Sequence, residues 1–137
     1  MNLTSDSTPV AAPVERIFSF LTDFRNFGKL LPEQVKEWSA DESHCTFIVE
    51  GLPRISLKLG ENIEGKRVTY LPDGESPVDF SLLFHMEGSA ETGKTVCRTE
   101  LLAKVSPMIA MMAKRPLQHF IELLSSRLKE HMESTQA

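Results

Sequence analysis

The candidate metal ligands are His44, Cys45, His85, Cys97 and His119. Zinc and similar ions are usually gathered by close pairs such as Cys-x-x-Cys or His-x-x-x-His. None of the five stands in such a pair, and no metal site is expected. Nucleophilic catalysis needs a hydroxyl or thiol, a base and an orienting group in contact. Ser81 and His85 share a strand face, but four residues of strand separate them by about 13 Å at roughly 3.3 Å per residue. The seven glycines are scattered and build no phosphate-cradling loop. Tyr70, Cys97 and Thr99 are the polar groups available to an interior. Arg54, Arg67 and Arg98 are expected to face water, with their stems lying along apolar surface. That is a thin set for polarising a carbonyl. No catalytic residue and no cofactor are expected.

What remains is apolar. Ser106 to Glu133 reads as one long helix, with Ser106 as cap and Pro107 at its first position. Met108, Met111 and Met112 share one face of it, and Leu117, Phe120, Ile121, Leu124 and Leu128 another. Pro116 interrupts the hydrogen-bond ladder and leaves the Met112 carbonyl needing a partner, either water or a ligand. Methionine fills cores, and it equally makes a deformable wall for a ligand cavity. Both readings stand at this point.

The elements before this helix must supply the opposite wall. Residues 2 to 10 suggest a first strand. Pro13 opens a helix whose apolar face is Val14, Ile17, Phe18 and Leu21, and Asp23 caps a second from Phe24 to Leu30, ended by Pro32. From Val35 the period falls to two. Strands are expected at 35–39, 44–50 and 55–59, around Val68 and Tyr70, then at Val78 to Met86 and Thr95 to Val105. Gly51-Leu52-Pro53, Glu64-Gly65-Lys66, Pro72-Asp73-Gly74 and Gly88 to Gly93 punctuate them. This predicts an α+β domain over residues 1–137, fraying over the last five, with an antiparallel sheet of six or seven strands. A lone helix after such a sheet buries its apolar stripe across it.

Composition narrows the function classes. The 137 residues are 41% hydrophobic and 25% charged, with net charge −4. Lysines and arginines are dispersed, so a nucleic-acid footprint is not expected. No apolar run reaches the roughly 20 residues of a membrane span, and the N-terminus lacks the pattern of a signal peptide. Cys45 and Cys97 are expected as reduced core thiols, and the chain as cytoplasmic.

The stretch Val10 to Pro32 carries a further signal: Ala12-Pro13 before the first helix, Phe18 inside it, then Asp23, Phe27 and Pro32. Together with the element order, this resembles the START-like superfamily, also called the helix-grip, SRPBCC or polyketide cyclase/dehydrase-like fold, to which the birch-allergen proteins belong. The early region is also similar to its coenzyme-Q-binding and carbon-monoxide-dehydrogenase-accessory branches. The resemblance implies a curved sheet gripping the C-terminal helix, two short helices after the first strand, and a largely apolar cavity between sheet and helix. It implies a cavity lined by Phe47, Val49, Leu57, Leu59, Tyr70, Phe80, Leu82, Phe84 and Met86 from the sheet. Cys97 and Thr99 would add polar groups, and Met108, Met111, Met112 and Phe120 would come from the helix. The expected function is non-catalytic binding or transport of a small hydrophobic molecule such as a lipid, quinone or polyketide-like compound. The alternatives are a cyclase/dehydrase-type enzyme, and a protein-interaction module with a vestigial cavity, whose binding patch would be Met108 to Met112 and whose self-associating version would be a weak homodimer.

Overall fold

The computed structural model describes residues 1–33, 35–49, 54–74, 79–89 and 91–134, and of Val49 the backbone alone. Two short strands, β1 (Asn2–Thr4) and β2 (Thr8–Val10), lead into helices α1 (Val14–Leu21) and α2 (Phe24–Phe27). A single 3₁₀ turn, Gly28–Leu30, continues α2. Six strands follow: β3 (Val35–Ala40), β4 (His44–Val49), β5 (Ile55–Leu59), β6 (Arg67–Pro72), β7 (Asp79–Gly88) and β8 (Thr95–Lys104). The chain closes with the long helix α3 (Pro107–Ser134). All pairings are antiparallel, in the order β1-β8-β7-β6-β5-β4-β3, with β2 also on β8. The expected Gly51–Pro53 turn, Val78 and residues 135–137 lie outside the described residues.

Among the described residues the sheet has eight strands, because the expected first strand is two. Thr4 pairs with Glu100 but Thr8 with Cys97, a slip of one residue. Ser5 makes the break, since its Oγ takes the Thr99 N–H at 2.9 Å in place of a ladder bond. A second irregularity lies in β3, where the register shifts between Lys36 and Ser39 and Glu37 takes φ 52°. Strict alternation would put Trp38 outside; the bulge turns it inward. Its ring then packs 6.2 Å from Phe27 and 5.9 Å from Phe47. Gly28 accommodates this ring, because a Cβ there would sit 2.7 Å from it.

Cross-strand partners share a face. Tyr70 opposes Leu82, Phe84 opposes Thr99, and Met86 opposes Cys97, so these residues line one concave side. The opposite face carries Arg67, His85 and Arg98 in consecutive register, and His85 Nε2 lies 2.8 Å from Glu100 Oε1.

The helices cover the concave side unequally. Asp23 caps α2, accepting from the Arg25 N–H at 3.0 Å and holding the Arg25 guanidinium at 2.6 Å. The bonds from Arg25 hold the Asp23 carboxyl below its usual value. A lowered folded-state pKa stabilises the fold above the unfolded value and ceases to do so as pH falls through the folded one. Asp23→Ala is therefore expected to cost about 1 kcal/mol at neutral pH. In thermal melts, the gap to wild type should close as the acid limb is entered.

Helix α3 packs on β8, β2, β1 and the 3₁₀ turn, running along that edge of the sheet. Its apolar stripe of Ile121, Leu124, Leu128 and Met132 is buried. A second stripe, at spacings of four, seven and four residues, is polar and laces the N-terminal segment to the helix. Gln118 donates to the Thr4 carbonyl (2.9 Å) and Lys129 to the Pro9 carbonyl (2.9 Å). Glu122 accepts from the Asp6 N–H (2.6 Å) and Glu133 from the Ala11 N–H (2.9 Å).

Candidate ligand site

The concave side is filled at its centre by aromatic rings. Phe24 and Phe27, delivered by α2, lie 4.5 and 5.0 Å from Tyr70, and Phe84 lies 5.2 Å from the same ring. The Tyr70 hydroxyl donates to the Leu21 carbonyl at 2.7 Å, tying the sheet to the end of α1. Burial raises its pKa well above the ordinary tyrosine value.

The expected cavity residues other than Val49 have definite places. Phe47, Leu57, Tyr70, Leu82, Phe84, Met86 and Cys97 are buried members of the core. Leu59, Phe80 and Phe120 are half-buried and pack against it. Thr99 is buried and bonded to helix α3, its Oγ1 lying 2.6 Å from Ser125 Oγ. Val49 opposes Val35 in β4, and its side chain lies outside the described residues. The methionines require a correction. Met108, Met111 and Met112 are 74%, 83% and 76% exposed. At about 100° per residue, Met108 stands on the far side of the helix from Leu117, so these side chains face water and line nothing.

Of the interior polar groups, the Tyr70 and Thr99 hydroxyls are committed to the protein itself. Both cysteines are free, and burial pushes both thiols up to about 12. At neutral pH they are protonated and poor nucleophiles. Among the described residues, no three metal-ligating side chains converge. No helix among them is long and apolar enough to cross a membrane.

Two residues that sequence reasoning passed over complete the interior. Ser5 and Ser125 join Thr99 in a buried hydroxyl cluster, Ser5 Oγ lying 3.0 Å from Ser125 Oγ. A serine at 125 among Leu124, Ile121 and Leu128 was the available signal.

Ile55 and Leu59 of β5, Phe80 of β7, and Leu117 and Phe120 of α3 all pack against the core yet are only half-buried. Two surface grooves lie elsewhere. One of about 280 Å³ runs between the 3₁₀ turn and Trp38, with Arg25 and Lys29 at its rim. The other, about 820 Å³, follows the end of the β7–β8 hairpin and meets the expected cavity residues only at Met86. Both are open and partly polar.

No family model matches the sequence, and no curated protein does. Solved structures do match. A START superfamily protein from Mycobacterium smegmatis is 18% identical over 97% of each chain, with TM-score 0.68. The di-domain ARO/CYC protein BexL, from the BE-7585A biosynthetic pathway, is 12% identical over 97% of this chain and 46% of its own, with TM-score 0.73. The Aha1 dimer from Colwellia psychrerythraea is 17% identical over 100% of this chain and 99% of its own, with TM-score 0.64. At such identities the likeness establishes architecture: the chain has the START-like helix-grip fold.

Proposed function

We propose that the protein binds a small hydrophobic molecule, of lipid, quinone or polyketide-like character, between its sheet and α3, without chemically converting it. The observation that carries this reading is the partial exposure of apolar side chains on both walls, Ile55, Leu59 and Phe80 from the sheet and Leu117 and Phe120 from α3. These apolar side chains come from the sheet and from α3 and are each partly open to solvent, and a ligand covering them would remove them from water. Each Å² covered contributes about 25 cal/mol, reduced by the cost of ordering the ligand. The START-like fold supports the placement, since its sheet and helix form the two walls. Against the cyclase reading, Tyr70 and Thr99 are already bonded to Leu21 and Ser125, and the thiols are protonated. An acid–base reaction needs polar groups free to meet the substrate.

The test is retention. The protein is incubated with a total lipid extract and re-isolated, and the bound compounds are identified by mass spectrometry. A defined apolar compound is expected with wild type, reduced about tenfold or more in Phe80→Glu, equivalent to about 1.4 kcal/mol of lost affinity. Phe80 is half-buried, so circular dichroism should confirm that the variant folds. Equal retention by both, or retention of nothing, overturns the proposal.

A further inference from the structure

We infer that the first half of α3, Pro107 to His119, docks on an anionic lipid surface. Met108, Met111, Met112, Arg115 and His119 form one stripe, on the far side of the helix from the stripe of Leu117, Phe120 and Leu124 that meets the core. All five are exposed, and Ile109 beside them is 53% exposed. A contiguous ridge of four large apolar side chains in water marks an interaction surface.

The charges around the ridge identify its partner. From Leu101 to Ile121 the sequence holds Lys104, Lys114 and Arg115 and no carboxylate, although the whole chain carries net charge −4. Lys104 reaches the exposed Asp79 at 3.6 Å, and neither Lys114 nor Arg115 has an ion-pair partner among the described residues. An apolar ridge set among basic side chains is the composition of a helix lying in a membrane interface, with cations at headgroup level. A second copy of the chain fits less well. Two ridges face to face would oppose Arg115 to Arg115, with no carboxylate between Leu101 and Ile121 to meet either. The surface stands on its own observations; its purpose rests on the ligand reading above. Docking would hold the strip of Leu117 and Phe120, on the same helix, at the bilayer that stores poorly soluble ligands.

The full chain is sedimented with vesicles of phosphatidylcholine alone, and with vesicles holding about a third phosphatidylglycerol. Binding to the anionic vesicles should be about tenfold tighter or more, and should weaken as salt screens it. Met111→Glu and Met112→Glu should each reduce it about tenfold, and Lys114→Glu with Arg115→Glu should remove the preference for phosphatidylglycerol. These side chains are exposed, so melting temperatures should match wild type. Absence of vesicle binding, equal binding to both compositions, or undiminished binding by Met112→Glu overturns the inference. So does a dimer in light scattering that Met112→Glu dissolves while vesicles are ignored. Vesicle binding and compound retention are separate readouts, so either proposal can fail alone.

Discussion

Replacing Phe84 with alanine is expected to lower the unfolding free energy by about 3–5 kcal/mol. The ring is 2% exposed and lies 5.2 Å from Tyr70 and 6.5 Å from Phe27, edge to face with both. Removing it deletes buried apolar area and leaves a void whose walls are the most constrained part of the molecule. Tyr70 is fixed by its bond to Leu21, and Phe27 is wedged against Trp38 and Phe47. Such neighbours cannot collapse into the space, so the cavity term is retained. Total stability for a domain is typically about 5–15 kcal/mol, so the variant should sit near the edge of folding. Urea denaturation followed by circular dichroism should give a much lower midpoint with an unchanged slope. Phe80→Ala, on the same strand face but half-buried, should lose clearly less. A mild effect at Phe84 would mean that its ring borders open space, and the proposed ligand site would then extend to the centre of the sheet.

The contrast between Phe80 and Phe84 illustrates what was legible in the sequence. The period-two pattern of β7 and β8 placed their inward side chains, because a strand has only two faces and one of them is wet. The helix boundaries at Asp23, Ser106 and Pro107 were legible for an equally local reason: each residue satisfies or omits a terminal backbone donor. Trp38 was not, because its direction depends on a bulge at Glu37 that alternation does not foresee. The division of β1 from β2 was hidden because it rests on Ser5 reaching residues 94 and 120 positions away. The methionine ridge was misassigned through residue type. Apolar character suggested the interior, whereas the angular arithmetic already placed Met108 opposite Leu117. The ridge and the strip lie on opposite sides of one helix, and only the strip can contribute to a cavity under the sheet.

The second large effect is expected at Ser125. Ser5 Oγ donates its one proton to the Asp6 carbonyl at 3.1 Å. Consistent with that bond, Ser125 donates to Ser5 and Thr99 donates to Ser125, although either oxygen in each of these two contacts can be the donor. We take the proton order Thr99 to Ser125 to Ser5 to Asp6. Ser125→Ala interrupts the chain in the middle and leaves the buried Thr99 hydroxyl without an acceptor, at about 1–3 kcal/mol. Thr99→Val removes the first donor and strands nothing, since Ser125 can still donate to Ser5, so its loss should be smaller. Thr99→Val combined with Ser125→Ala has no orphaned hydroxyl between strand and helix, and should be more stable than Ser125→Ala alone. A double-mutant cycle by urea denaturation should therefore give a coupling of about 0.5–3 kcal/mol. Strict additivity would mean that water enters the cluster and satisfies Thr99. It would then be the polar lacing at Gln118, Glu122, Lys129 and Glu133, together with the buried leucines, that holds α3 to the sheet while the methionine end faces solvent.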